Sequence, residues 1–245
     1  MFKNILFISD NLYLCKKIKT IISRDEFNDF KFVFSISPFS NLIDFEKSLS
    51  SNVHVYDMRS QDDISVILQN YDLIISIHCK QIFPENLISK IKCINIHPGY
   101  NPYNRGWYPQ VFSILNNEII GATIHEIDKD IDHGLIIDRE VVEKTITDTS
   151  GSLYDKILIK EIELFEKNIF AILNNSYNVI KPEIEGPLYL KKDFNDLCKL
   201  DLNENGTLEF FIRKLRALTH NDLKNAYFFE EATNEKVYIS INIRK

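Results

Sequence analysis

Glycine and proline are scarce in this chain of 245 residues, seven of each, and it has one tryptophan and four cysteines. The first apolar run, KNILFIS, leads into Ser9-Asp10-Asn11. A dinucleotide fold needs a glycine-rich turn there, so that the backbone can approach a pyrophosphate. Nicotinamide and flavin chemistry are therefore not expected. No Walker loop occurs, and the missing G-x-S-x-G elbow argues against a serine hydrolase of the α/β type. Cys15, Cys79, Cys93 and Cys198 are scattered, with no C-x-x-C pair. Neither a metal nor a disulfide is expected, and a reducing cytoplasm fits. The opening MFKNILFISDN lacks an apolar segment long enough for a signal peptide or a membrane span. A basic excess is also missing. The net charge of -6 argues against a general nucleic-acid surface and leaves room only for a local anion site.

What is present is the composition of a globular protein, 44% hydrophobic and 26% charged. Short apolar runs alternate with amphipathic ones. KNILFIS, FKFVFSIS, VHVYDM, DLIISIH and CINIH read as strands, with helices over 11–25 and near 41–49, 62–69 and 85–91. This rhythm predicts an α/β fold, a mostly parallel sheet with helices on its faces. QVFSILNN reads as a further helix, and GATIHEI and LIIDREVVE as strands. Ser152-Leu153-Tyr154-Asp155 has the form of a capping box and predicts a long helix from 152 to about 174. NVIKPEIEGPLYLKK reads as a surface linker. A helix over 206–219 and two short strands, NAYFFEE and KVYISINIR, make a small C-terminal appendage. The expected division is 1–180 and 181–245.

INIHPGYNPYNRGWYPQ, residues 94–110, concentrates three of the seven prolines and the only tryptophan. One residue separates Asn95 from His97, so on a strand both face the same side while Ile94 and Ile96 face the core. Asp132-His133-Gly134 is a turn downstream. In open α/β sheets ligands bind beyond the carboxyl ends of the strands, where His78 and His97 fall. If the turn lies beside the fifth strand, an amide, an imidazole and a carboxylate converge. The first two can donate to a developing oxyanion. The carboxylate can orient the imidazole or accept a proton. A strand-capping histidine and an ordinary Asp-x-Gly turn are the structural alternatives. A metal set of His97, His125, Asp132 and His133 lacks any ligand spacing.

The combination Asn95-Ile96-His97-Pro98-Gly99, Pro102-Tyr103-Asn104-Arg105-Gly106 and Asp132-His133-Gly134 resembles the folate-dependent formyltransferases. With HCKQIFP at 78–84, it looks closest to the subgroup acting on dTDP-linked amino sugars. The resemblance covers roughly residues 1–180. It implies the Rossmann-like formyltransferase fold, N10-formyltetrahydrofolate as cosubstrate, no metal, and Asn95, His97 and Asp132 as the catalytic residues. It leaves open whether His97 or Asp132 takes the amine proton. His78, Cys79, Lys80, Gln81, Ile82 and Phe83 are the expected folate contacts, with Ile82 and Phe83 equally readable as core.

For the sugar nucleotide the candidates are Asn11, Tyr103, Asn104 and Trp107, with Arg105 as the diphosphate clamp. Arg213, Arg216, His220, Lys224 and Asn225 form a second, mostly basic set, for which a solvated helix face is the alternative. The C-terminal strands are expected to pack against a second subunit. The implied acceptor is dTDP-4-amino-4,6-dideoxyglucose, then a 3-amino isomer, in O-antigen or lipopolysaccharide sugar synthesis. A formyl-folate hydrolase and a non-catalytic nucleotide-sugar binding protein are the rival readings.

Overall fold

The computed structural model describes residues 1–244. The chain begins with β1 (Asn4–Ser9), α1 (Leu12–Ile22), β2 (Lys31–Ile36), α2 (Leu42–Leu49) and β3 (His54–Val55). There follow α3 (Gln61–Asn70), β4 (Leu73–Ile77), α4 (Glu85–Ile88) and β5 (Lys92–His97). The proline-rich loop contributes β6 (Arg105–Gly106) and leads into α5 (Pro109–Asn116), β7 (Gly121–Glu126), β8 (Ile136–Val141) and α6 (Ser150–Leu173). The tail holds β9 (Leu188–Tyr189), α7 (Lys191–Cys198), α8 (Leu208–Leu218), β10 (Tyr227–Phe229) and β11 (Lys236–Tyr238).

Seven strands form one sheet in the order β3-β2-β1-β4-β5-β7-β8. The first five are parallel, while β7 and β8 run antiparallel to their neighbours. This is the expected mostly parallel α/β sheet. The chain winds outward from β1 to β3, then returns to continue from β4 on the other side. β1 and β4 therefore flank the point where the winding reverses, and a crevice opens beyond their carboxyl ends.

The unbroken apolar runs of β1 and β4 reflect burial on both faces. Successive β1 residues go to opposite sides. Ile5 and Phe7 pack with α1, α2 and α6, while Leu6 and Ile8 pack with α3 and α4. Phe7 meets Phe165 of α6 edge-on, ring centroids 6.0 Å apart. A further apolar cluster joins Val111, Phe112 and Ile114 of α5 to Leu153 and Ile157 of α6, and to Phe194, Cys198, Ala217 and Leu218 of the tail. The C-terminal residues thus share a core with α5 and α6.

Several details differ from the sequence expectation. α6 starts at Ser150, and its cap is Thr149. Ser152 is the reciprocal partner in the capping box, its hydroxyl accepting the Thr149 N–H at 3.1 Å. The stretch read as a linker contains β9, paired with β6 in the proline-rich loop. α7 has no sequence signal of note, because only Phe194 and Cys198, one turn apart, are buried. β3 is cut to two exposed residues at the sheet edge. The expected C-terminal hairpin is present as β10 and β11.

The packing of α6 sets a stability test. Phe165→Ala deletes a fully buried ring and is expected to cost about 3–5 kcal/mol, against about 0.5 kcal/mol or less for Ile159→Ala on the exposed face. Urea denaturation measures both; equal losses would mean that α6 buries a different face.

Candidate active site

Asn95 and His97 lie on β5 opposite His125 and Thr123 of β7, so four polar side chains meet at the end of one antiparallel pair. Asp132 comes from the loop between β7 and β8 with a left-handed backbone (φ 47°), and its carboxylate is the hub. Oδ1 accepts the Asn95 amide at 3.1 Å and lies 3.4 Å from His125 Nε2. Oδ2 accepts the Gly106 N–H at 3.0 Å and lies 3.4 Å from His97 Nδ1. Burial alone would raise the Asp132 pKa. The pull of His97, the contact with His125 and the Gly106 N–H outweigh it and hold the carboxyl well below the usual carboxylate range.

His97 Nε2 is 2.8 Å from the Asn104 carbonyl, which can only accept, so that nitrogen carries the proton. Burial lowers the His97 pKa against the opposing pull of Asp132 and the Asn104 carbonyl. Nδ1 faces the Asp132 carboxylate. Gly99 lies under the His97–Asn104 bond. A Cβ there would come within 2.5 Å of Nε2 and 2.7 Å of the Asn104 carbonyl oxygen, so the sequence needs glycine at this point. His125 Nδ1 donates to the Glu126 carbonyl at 2.7 Å, leaving Nε2 toward Asn95 and Asp132.

A second polar centre lies at the end of β4. His78 has a left-handed backbone (φ 51°), and its Nε2 is 2.8 and 2.9 Å from the two oxygens of Glu161, a buried carboxylate on α6. Its Nδ1 faces the Tyr154 hydroxyl at 3.1 Å and the Asn11 amide at 3.4 Å. Burial, with the nearby Glu161, raises the Tyr154 pKa above the usual phenol range, so Tyr154 stays a hydroxyl donor.

Both centres open on one cleft of about 590 Å³. All six expected folate contacts, His78 to Phe83, line it. Gln81 fixes this loop by accepting from Met58 N–H and donating to the Tyr56 carbonyl, both at 2.9 Å. The Lys80 N–H donates to Asp10 at 2.8 Å. Burial pushes the Cys79 thiol up to about 12, so it remains protonated. Phe83 is buried and Ile82 is exposed, which separates the two residues that the sequence left equal.

Of the expected sugar-nucleotide contacts, Trp107, His220 and Asn225 line the cleft. Asn11 stands behind His78 and Tyr154 and also caps α1 through the Leu14 N–H. The others lie elsewhere. Arg105 is buried, donating to the carbonyls of Ile131 (3.0 Å) and Glu185 (3.1 Å), so its guanidinium locks three loops together and does not reach the cleft. Asn104 is fully buried and accepts the Tyr100 N–H. Tyr103 stacks on Tyr100 at the surface. Arg216 is buried, holding the carbonyls of Asp148 and Thr145, and Arg213 pairs loosely with Glu209. Lys214, on the same helix, is buried against Glu204. Lys224 lies over the Tyr238 ring. His133 turns to Asp128 at 2.7 Å and away from the Asp132 carboxylate.

Sequence reasoning weighed His125 only as a metal ligand and missed Tyr154, Glu161, Ser150 and Gln110, all close to the cleft. Gln110 Nε2 donates to Ser150 Oγ at 3.3 Å, which is 3.1 Å from His220 Nδ1. For Glu161 a signal existed, a carboxylate on the apolar stripe of α6 between Ile157 and Phe165.

A sheet of this winding thus carries an Asn-His-Asp cluster in the crevice beyond its strand ends, where α/β folds bind ligands. Residues 17–169 match the formyl transferase family, and residues 193–245 match the N-formyltransferase dimerization C-terminal domain. The chain belongs to the formyl transferase family. It is 48% identical over 178 residues to the dTDP-4-amino-4,6-dideoxyglucose formyltransferase of Mycobacterium tuberculosis, covering 73% of this chain and 76% of that one. It is similar to the crystal structure of a 4-N formyltransferase from Francisella tularensis, with a TM-score of 0.93, 41% identity and coverage of 99% and 98%. A sugar 3N-formyl transferase solved in the presence of dTDP and 5-N-formyl-THF gives a TM-score of 0.69 at 26% identity, covering 89% of this chain and 79% of that one.

Two tests follow from this geometry. An unfolded histidine takes up a proton below about pH 6.5. Folded His97 resists protonation until lower pH, so acidification through that range favours unfolding. Wild type is expected to lose more thermal stability between pH 7 and pH 5 than His97→Gln does; parallel curves would show that folded His97 takes up its proton as readily as an unfolded histidine. Arg105→Ala is expected to free the loop carrying Asp132 and speed hydrogen exchange at the Gly106 amide. Unchanged exchange there would leave Arg105 without a part in holding the loop.

Proposed function

We propose that the chain transfers the formyl group of N10-formyltetrahydrofolate to the amino group of a dTDP-linked amino-dideoxy sugar, with dTDP-4-amino-4,6-dideoxyglucose as the acceptor. The observation that carries this reading is the ionised Asp132 gathering Asn95, His97 and His125 at the floor of the cleft. The acceptor rests on the 48% identity to the mycobacterial enzyme of that name. The loop over 79–83 suits a flat heterocycle, because its backbone is pinned by Asp10 and Gln81 and its Ile82 and Phe83 give an apolar wall.

The folate, when bound, supplies an activated formyl carbon. The chain's residues do the rest. Asn95 keeps one amide hydrogen on Asp132 and directs the other along a longer contact, 3.3 Å from His125 Nε2. That second hydrogen is the donor we assign to the formyl oxygen as it gains charge. His97 Nδ1 is the proton acceptor, because an imidazolium formed there is stabilised by Asp132 at 3.4 Å. The proton then returns to the departing folate nitrogen.

Residues 1–180 supply this chemistry and 181–245 the cleft wall at Phe194, His220 and Asn225. The hairpin of β10 and β11, with Phe229, Val237 and Tyr238 exposed, is the surface through which two copies associate, in keeping with the dimerization-domain match. Four free thiols suit a reducing cytoplasm.

Incubation with formyl-folate and dTDP-4-amino-4,6-dideoxyglucose, read by mass, is expected to give the N-formyl sugar. His97→Ala should slow the reaction by about a hundredfold or more. Formate without formyl sugar would establish a hydrolase, and binding with no reaction would leave a nucleotide-sugar binding protein.

A further inference from the structure

The substrate proposed above carries its charge in a diphosphate, and the cleft has no buried cation to meet it. Among the described residues that line the cleft there is no arginine, and its lysines, Lys80 and Lys129, are exposed. Arg105 and Arg216 are committed to backbone carbonyls. Phosphate oxygens inside the cleft are thus left to neutral N–H and O–H donors.

One part of the cleft wall brings three such side chains together. Gln110 and Ser150 stand in the first turns of α5 and α6, and His220 follows α8. All three line the cleft. Gln110 Nε2 donates to Ser150 Oγ at 3.3 Å, and that oxygen is 3.1 Å from His220 Nδ1. Having accepted the amide hydrogen, the Ser150 hydroxyl still has its own proton to place. Were Nδ1 a second donor, that proton would be stranded on a residue that is 1% exposed. Ser150 therefore donates to Nδ1. Burial lowers the His220 pKa against the weaker pull of Asp155, so the ring is uncharged at neutral pH. Its one proton then sits on Nε2. That nitrogen has no hydrogen-bond partner among the described residues, and it is not one of the unpaired polar atoms sealed from solvent. It is open to the cleft.

The chain around the ring is held on several sides. The Gly151 N–H donates to the Thr219 carbonyl at 3.2 Å, and the Leu223 N–H to the His220 carbonyl at 3.0 Å. The Asn225 amide donates to the Leu218 carbonyl and the Ile241 N–H to Thr219 Oγ1, both at 3.0 Å. Tyr154 stands between His220 and His78, its ring centroid 5.5 Å from the first and 6.0 Å from the second. Ile77 of β4 is in register with Ile96 of β5, which sets His78 level with His97. His220 is thus two ring-to-ring steps away from the catalytic strand ends. A pyranose carries its C-4 amine and its C-1 oxygen at opposite ends of the ring. With the amine at the Asp132 centre, the diphosphate on C-1 leaves from the far end.

Resting on the function proposed above, we propose that His220 holds a diphosphate oxygen of the sugar nucleotide, donating from Nε2, with Ser150 and Gln110 as the positioning residues that keep its proton there. The ligand class is a nucleoside diphosphate, and the contact is a neutral N–H on a charged oxygen.

Titration with dTDP and with thymidine tests this without the reaction, on wild type, His220→Phe and Ser150→Ala. His220→Phe keeps a ring beside Tyr154 and removes the donor. It should weaken dTDP binding about tenfold or more, the size of a hydrogen bond to a charged group. Thymidine and formyl-folate binding should be unchanged. Ser150→Ala should show the same selectivity with a smaller loss, because the proton is then shared between the two ring nitrogens. Equal weakening of dTDP and thymidine would overturn the assignment and make His220 part of a nucleoside wall. Unchanged dTDP affinity would overturn it as well. If wild type shows the dTDP selectivity but formylates no dTDP-sugar, the proposed function falls and the diphosphate contact stands. If either variant fails to fold, nitrogen-15 histidine NMR on wild type decides. His220 Nε2 should be protonated in the free protein and should shift when dTDP is added. An unprotonated Nε2, or a resonance that dTDP does not move, overturns the proposal.

Discussion

An ionised carboxylate taken out of water costs several kcal/mol unless its lone pairs are occupied. Asp132 meets that condition with two N–H donors from separate parts of the chain and two histidine rings beside them. Asn95 comes from β5, the Gly106 N–H from the proline-rich loop, and His97 and His125 approach from either side. The arrangement around them follows. Arg105 must hold the loop carrying Asp132 by the Ile131 carbonyl. Asn101 must hold it by the Asp132 carbonyl itself, at 3.0 Å. β9 must pair with β6 to fix the other side of Gly106. The proline-rich loop is thus a frame for one charge, and it lines the cleft at Pro98 and from Gly106 onward.

The sheet and the shared face of Asn95 and His97 were legible in the sequence for local reasons. Period-two alternation carries Asn95 and His97 to one face whatever surrounds them, and apolar runs such as LFIS and LIISI have no stable place outside a buried parallel sheet. The roles of Arg105 and Arg216 were not legible. An arginine that binds backbone carbonyls looks in sequence like one that binds phosphate, since both need the same fork of N–H donors. Only the approach of residues 131 and 185 to residue 105, and of 145 and 148 to 216, decides between them. α7 escaped for a different reason. It buries two residues against α5 and α8, too few to leave a period.

Glu161 is the residue whose placement the sequence hinted at most and explained least. On the inner stripe of α6 a carboxylate has no partner from its own helix, and α6 is otherwise packed against apolar strands. Its counter-group is one that leaves the sheet early. His78 does so by taking a left-handed turn immediately after β4, which swings its ring toward α6 and away from the strand direction. The pair therefore depends on the reversal of winding between β1 and β4, because only there is the edge of β4 open enough for a side chain from α6 and the Asn11 cap of α1 to reach the same ring.

The scarcity of glycine has its counterpart at the site. Three of the seven, Gly99, Gly106 and Gly134, lie within the loops that build it. Each stands where another chain segment passes too close for a Cβ. Gly99 lies under the His97–Asn104 bond, Gly106 against the Tyr189 carbonyl with φ of +88°, and Gly134 against the Glu126 carbonyl. A dinucleotide fold uses glycines to admit a ligand's phosphates to its backbone. Here they admit the protein's own backbone to itself, so that carbonyls and N–H groups can reach His97 and Asp132 directly. His97 and Asp132 are consequently oriented by main chain that the fold itself fixes, which limits the ordering entropy lost when the cleft is filled.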